Sequence, residues 1–234
     1  MINACLASMV LSVSAVMALG QEQAVDLELA LGVDVSASVS EAEFDLQRHG
    51  LAEAFRDPAV QAALEAGDGI AVALFYWAGD QEQSMVVEWS LVSDAASSAE
   101  FADKIETTER RFGAPVGRSG RSSGKTAIGE AMWFGAQATA TNAYFGERAV
   151  VDISGDGWTN TGRTSASIRD RVVAAGITLN GLAILNEVAD LVAYYRDNVV
   201  GGPGAFVESA SDYHDFVRAI RRKLLREILW RPST

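Results

Sequence analysis

Near-continuous apolar runs, alternating with amphipathic helix-like segments, constrain what this 234-residue chain can fold into more than any other feature. A run such as Ile70–Trp77 (IAVALFYW) has no polar face, so both of its sides must be covered, as in a sheet flanked by helices. The pattern predicts a strand at Leu27–Val35 and then a helix through Phe44, Leu51 and Phe55. Ser40-Glu41-Ala42-Glu43 opens that helix as a capping box. Ile70–Trp77 and Met85–Leu91 read as a hairpin, followed by a helix from Ala95 to Glu109. The Gly- and Arg-rich stretch Arg110–Ser123 reads as an exposed loop leading to a helix at Thr126–Thr139. Strands at Arg148–Ser154, Ile177–Ile184 and Ala205–Ser209 follow, interleaved with helices near Ser165–Ala175 and Val188–Arg196, and a helix over Asp212–Trp230 ends the pattern. The expected fold class is α/β, a doubly wound and mostly parallel six-stranded sheet with helices on both faces. A TIM barrel would need more β/α units.

Residues 1–20, MINACLASMVLSVSAVMALG, carry no charge and end in a small-x-small pattern, as an export signal does. An uncleaved membrane anchor is the alternative, and residues 21–234 are expected to form a single domain, periplasmic or extracellular. The only cysteine, Cys5, falls in this leader, so a chain starting near Gln21 could form no disulfide. Thirty-one acidic against nineteen basic side chains give a net charge of −12, which repels phosphate backbones and argues against nucleic acid as a partner. The basic segment RAIRRKLLREILWR spaces Phe216, Ile220, Leu224 and Ile228 by four residues. It is read as packing that face on the sheet with Arg221, Arg222 and Arg226 in solvent; contact with an anionic membrane is the competing reading.

Two motifs in SGRSSGKTAIGEAM (Ser119–Met132) suggest enzymes. The Gly-Lys-Thr resembles a phosphate-binding loop, but Ser119 stands where its first glycine belongs, and no apolar strand precedes it. Gly120-Arg121-Ser122-Ser123-Gly124 fits a hydrolase nucleophile elbow, with Asp197 and His214 in a suitable chain order, yet it too lacks the strand. A serine hydrolase using Ser122 and His214 stays as the enzymatic alternative. His49 and His214 are too isolated for a zinc pattern.

Asp34-Val35-Ser36-Ala37-Ser38, at the end of the first strand, supplies a carboxylate and two hydroxyls, all hard oxygen donors suited to a cation such as Mg²⁺. Asp152-Ile153-Ser154-Gly155-Asp156-Gly157 ends another strand. In doubly wound sheets, ligands collect at strand carboxyl ends where the connection order reverses, so Asp34 and Asp156 are expected to converge. The second stretch also mimics the start of an EF-hand loop, but Arg163 stands where that loop needs Glu. Asp152, inside the apolar strand, receives no role.

These residues resemble the von Willebrand factor A-like domains and their metal-ion-dependent adhesion site: Asp-x-Ser-x-Ser, a distant Thr, and a distant Asp usually followed by Gly. The matching positions are Asp34, Ser36, Ser38, Thr126 and Asp156, and the chain looks closest to a bacterial branch of unknown function in that superfamily. The resemblance implies a sheet in order 3-2-1-4-5-6, with Asp34 ending strand 1 and Asp156 ending strand 4. It implies Ser36, Ser38 and Thr126 as hydroxyl ligands and the two aspartates as carboxylates acting directly or through water. The cofactor implied is Mg²⁺, with Mn²⁺ or Ca²⁺ as substitutes, and the partner is a protein offering a Glu or Asp carboxylate to an open coordination position. That is binding rather than catalysis. Ser154-Gly155-Asp156-Gly157 replaces the more common Thr-Asp-Gly. Trp158, Thr159 and Asn160 follow that turn and are read as part of a rim that greets a partner, with Trp158 covering the sheet edge as the competing reading. A scaffold that keeps the fold without the metal is a further alternative.

Overall fold

The computed structural model describes residues 22–112, 125–186, 188 and 190–231. The leader with Cys5, and the loop segment holding Ser119 and Ser122, lie outside the described residues.

A short pair, β1 (Gln23–Val25) and β5 (Tyr144–Gly146), forms a two-stranded parallel ribbon. The main sheet comprises β2 (Leu27–Asp34), β3 (Ile70–Trp77), β4 (Gln83–Val92), β6 (Ala149–Gly155), β7 (Thr178–Ile184) and β8 (Val207–Ala210). Its order is β4-β3-β2-β6-β7-β8, and only β4 runs antiparallel to its neighbour. Numbered by main-sheet strands alone, this is the expected 3-2-1-4-5-6. β2, β3 and β7 are buried along their whole length, as apolar runs without a polar face require.

Among the described residues seven helices cover the two faces: α1 (Glu41–Arg56), α2 (Pro58–Glu65), α3 (Ala95–Glu106), α4 (Ile128–Thr139), α5 (Ser165–Ala174), α6 (Leu191–Asn198) and α7 (Phe216–Leu229). Alternation along β2 divides the core: Leu29, Leu31 and Val33 join Phe44, Phe55, Phe101 and Phe216 on one face. Ala30 packs on the other with Phe75, Val151, Met132 and Tyr195. The capping box of α1 is closed, with the Ser40 amide donating to Glu43 Oε2 at 2.8 Å and the Glu43 amide to Ser40 Oγ at 3.3 Å.

The differences from the sequence pattern have local causes. α2 was not expected, although Pro58 stands at its first turn and Asp57 Oδ1 accepts from the Ala59 amide at 2.8 Å. The β1–β5 ribbon, at three residues a strand, is too short to show a period. α4 starts at Ile128 rather than Thr126, because the Ala127 amide donates to the Ala78 carbonyl at 2.8 Å and holds the preceding residue outside the helix. In α7 the face Phe216, Ile220, Leu224 and Ile228 is buried, as expected. Arg221 and Arg222 pair with Asp57 and Glu208 at 2.8 and 2.7 Å.

Asp152 also acquires a role. It points from β6 toward α7, where wholly buried Lys223 lies 2.7 Å from Asp152 Oδ1 and 2.5 Å from Glu227 Oε1. Asn180 Nδ2 on β7 donates to the same Glu227 oxygen at 2.9 Å. One ammonium serves two buried carboxylates. Burial pushes Asp152 up to about 7, with the Glu227 charge adding to the shift and Lys223 opposing it.

Removing Lys223 leaves two buried carboxyl groups without the ammonium that joins them, so Lys223→Met should cost about 3–5 kcal/mol in urea unfolding. Because folded Asp152 holds its proton more tightly than the unfolded chain does, its contribution to stability is present at low pH. That contribution is lost as pH rises through the window from 3.8 toward about 7. Stability of the wild type relative to Asp152→Asn, followed by urea midpoints across that window, should therefore fall with increasing pH.

Candidate metal centre

The site forms because β2 and β6 are neighbours and both end at the same edge of the sheet. Past Asp34 the chain turns tightly. The Val35 amide still bonds the Trp77 carbonyl (2.9 Å), the Ser36 amide donates back to Asp34 Oδ1 (2.7 Å), and the Val39 amide donates to the Ser36 carbonyl (3.1 Å) before Ser40 caps α1. Ser36 and Ser38 are thereby turned toward the end of β6. Their hydroxyls lie 3.2 Å apart, and Ser38 Oγ donates to Asp156 Oδ1 at 2.9 Å. The other oxygen of Asp156 accepts from the Tyr213 hydroxyl at 2.9 Å.

Thr126 reaches the same place from the opposite side. Its amide donates to Asn160 Oδ1 at 2.8 Å and its carbonyl accepts from the Asn160 amide at 2.9 Å, so it is tied to the loop that follows Asp156. Ser38, Thr126 and Asp156 line one cavity of about 300 Å³. The structure thus brings the residues singled out in the sequence to one strand edge, with Asp34, Ser36, Thr126 and Asp156 buried.

Asp34 is wholly buried, and among the described residues its Oδ2 has no hydrogen-bond partner. Burial, then the charge of Asp156, pushes the Asp34 carboxyl far above the usual carboxylate range, and the Ser36 bonds and the Arg110 charge offset this only in part. An orphaned carboxylate oxygen, a second buried carboxylate and three hydroxyl side chains form an all-oxygen donor set. Those residues fit a hard divalent cation and not a soft one.

Gly155 explains the departure from the common Thr-Asp-Gly pattern. A Cβ there would lie 2.9 Å from Asp34 Oδ2 and 2.9 Å from the Tyr195 hydroxyl, so only glycine leaves the carboxylate its room. Gly157 is under no such pressure; its nearest neighbour would be Thr126 Cγ2 at 4.0 Å.

Several supporting residues escaped the sequence reading. Arg110, expected at the start of an exposed loop, is instead buried at its guanidinium. Its Nη2 donates to the Val35, Ser36 and Val39 carbonyls at 3.0, 2.9 and 2.7 Å, holding the whole Asp34–Val39 turn. Gln47 donates to the Asp34 carbonyl at 3.2 Å. Its position was readable, since it falls on the inward stripe of α1 with Phe44 and Leu51. Arg110 and Tyr213 carry no local signal, because their partners are distant in sequence.

Other candidate groups are not drawn in. Ser122 lies outside the described residues, and among the described residues no hydrogen bond or ion pair joins exposed His214 to Asp197. His49 lies on the surface, where its Nδ1 is 3.0 Å from Glu106 Oε1. Ligand atoms of His49, Glu53 and Glu106 fall within 4.8 Å of one another. Arg56 already bonds both carboxylates there, at 3.1 and 3.2 Å.

Residues 24–232 match a family model described as a protein of unknown function, DUF1194. No curated protein matches the chain in sequence. Among solved structures, proximal thread matrix protein 1 from the mussel byssus is similar, with a TM-score of 0.61 and 13% identity over 87% of this chain and 48% of that one. A further structure of that mussel protein has a zinc-occupied MIDAS motif, with a TM-score of 0.56 and 15% identity over 86% of this chain and 45% of that one. A von Willebrand factor type A protein from Catenulispora acidiphila gives 0.55 and 14% over 88% of this chain and 43% of that one. The pilus adhesin SpaC from Lactobacillus rhamnosus GG gives 0.55 and 13% over 87% of this chain and 30% of that one. The chain spans less than half the length of each of these proteins. At such identities the likeness is one of fold, an α/β sheet of the von Willebrand A type.

Gly155→Ala should lower stability by about 1–3 kcal/mol through overpacking against Asp34 and Tyr195. Gly157→Ala, two residues on, should stay within about 0.5 kcal/mol of wild type. Paired urea unfolding curves check the contrast.

Proposed function

The chain belongs to the DUF1194 family of proteins of unknown function, and from that premise we propose that it is an exported, divalent-cation-dependent module for binding proteins. The observation that carries this reading is Asp34 Oδ2, wholly buried beside a second buried carboxylate and, among the described residues, left without a hydrogen-bond partner. An orphaned acceptor of that kind costs about 1–3 kcal/mol or more, a cost that a ligand can offset. Asp34, Ser36, Ser38, Thr126 and Asp156 would hold the ion, with Mg²⁺ the expected species and Mn²⁺ or Ca²⁺ able to substitute.

When bound, the cation supplies an electrophilic centre that can accept a carboxylate. The chain's own residues do the rest. Neutral hydroxyls from Ser36, Ser38 and Thr126 leave much of the ion's charge uncompensated, so a Glu or Asp from a partner protein finds an attractive site. Tyr213 and Ser38 each occupy one oxygen of Asp156, which favours contact through water on that side. Arg110 keeps the loop in shape before any ligand arrives, which limits the ordering cost of binding.

The solved structures support this direction without naming a partner: one is titled a pilus adhesin, and another is titled with a zinc-occupied MIDAS motif. Export rests on the uncharged leader of residues 1–20. Among the described residues no helix is long and apolar enough to cross a membrane. Binding rather than catalysis is the reading adopted, because the strand-end residues form a cation cradle.

Isothermal titration of Mg²⁺ and Mn²⁺ into the wild type and Asp34→Ala tests the proposal. A saturable one-site isotherm for the wild type, weakened at least tenfold in the variant, is expected. Equal binding by both proteins, or none by the wild type, would contradict it.

A further inference from the structure

Resting on the cation-binding reading, we infer that the partner carries an aromatic side chain next to its acidic residue, and that Trp158 is the platform on which that ring docks. The lining of the cavity at the site is of two kinds: the hydroxyl and carboxylate side chains of Ser38, Thr126 and Asp156, and the apolar side chains of Trp158 and Val188. Among the described residues no Lys, Arg or His lines it. Discrimination among acidic ligands is therefore assigned to the apolar lining.

Trp158 suits that task. It is 52% exposed, one of few large apolar side chains so placed among the described residues, and it lies two positions beyond Asp156. A tryptophan serving only to cover the sheet edge would bury more of its ring. Its mounting is firm. The ring leans on Tyr194 with centroids 6.3 Å apart, and the Tyr194 hydroxyl accepts from the Thr159 amide at 3.2 Å and lies 3.3 Å from Ser165 Oγ. Thr159 Oγ1 and Ser165 Oγ lie 2.7 Å apart, and Asn160 ties the other end of the segment to Thr126. An exposed indole resting on a ring that is itself hydrogen-bonded to the following segment has the character of an interface anchor.

The volume narrows the occupant further. About 300 Å³ is at the small end for ligand pockets and suits two adjacent side chains, an acid reaching the hydroxyl lining and a ring covering Trp158. Offset or edge-to-face contact between the rings adds to the area buried.

The test uses blocked dipeptides as probes, Asp-Gly, Asp-Phe, Phe-Asp and Asn-Phe, titrated by NMR into wild type and Trp158→Ala in saturating MgCl₂. Direct Mg²⁺ titration of each protein is run alongside. The expected result is that one of the two Asp/Phe peptides binds the wild type at least fivefold more tightly than Asp-Gly. That preference should disappear in Trp158→Ala, and Asn-Phe should bind no better than Asp-Gly. If the wild type takes Mg²⁺ but binds Asp-Gly and both Asp/Phe peptides equally, or if the preference survives Trp158→Ala, the inference is wrong and the cation reading stands. If the wild type takes no Mg²⁺, both are overturned.

Discussion

The arrangement of this protein turns on two carboxylates, Asp34 and Asp156, that a parallel pairing of β2 with β6 forces to the same strand edge inside the fold. Like charges brought together out of water repel, and among the described residues no side-chain ammonium sits between them to relieve it. Much of the local structure is organised around that conflict. Gly155 removes a side chain that would collide with Asp34, Tyr213 and Ser38 each donate to Asp156, and Arg110 spends its guanidinium on the carbonyls of the turn.

The same strand provides the contrast that makes the conflict informative. β6 contributes Asp152 to the interior as well, and there the chain supplies its own cation, Lys223 of α7 at 2.7 Å. Asp152, Lys223 and Glu227 are all buried there, and the cluster ties α7 to the middle of the sheet. At the strand's end no such lysine is found among the described residues, and one oxygen of Asp34 is left without a partner among them. That contrast supports the proposed cation.

Much of the fold was legible because its strands are apolar on both faces; Ile70–Trp77 admits hardly any other environment. The elements that escaped notice are those for which pattern carries little weight. α2 is eight residues long, announced only by Asp57-Pro58, and β1 and β5 are too short for any period. The convergence of Ser36, Ser38 and Asp156 at one edge of the sheet was legible as well, since Asp-x-Ser-x-Ser and Gly-Asp-Gly follow apolar strands. Their supports were not. Arg110 looked like one arginine among several in a Gly-rich loop, and only the tertiary structure shows it reaching three carbonyls of a turn more than seventy positions earlier. Lys223 received no role in the basic segment RAIRRKLLREILWR, yet it is wholly buried. Long-range polar pairing leaves no periodic trace in a sequence.

The most direct test of the account is anomalous diffraction from crystals grown in Mn²⁺. The account predicts a single strong anomalous peak in the hollow bounded by Asp34, Ser36, Ser38, Thr126 and Asp156, within bonding distance of several of their oxygens. Full-occupancy density for those side chains with no peak between them, at millimolar Mn²⁺ and neutral pH, would contradict it.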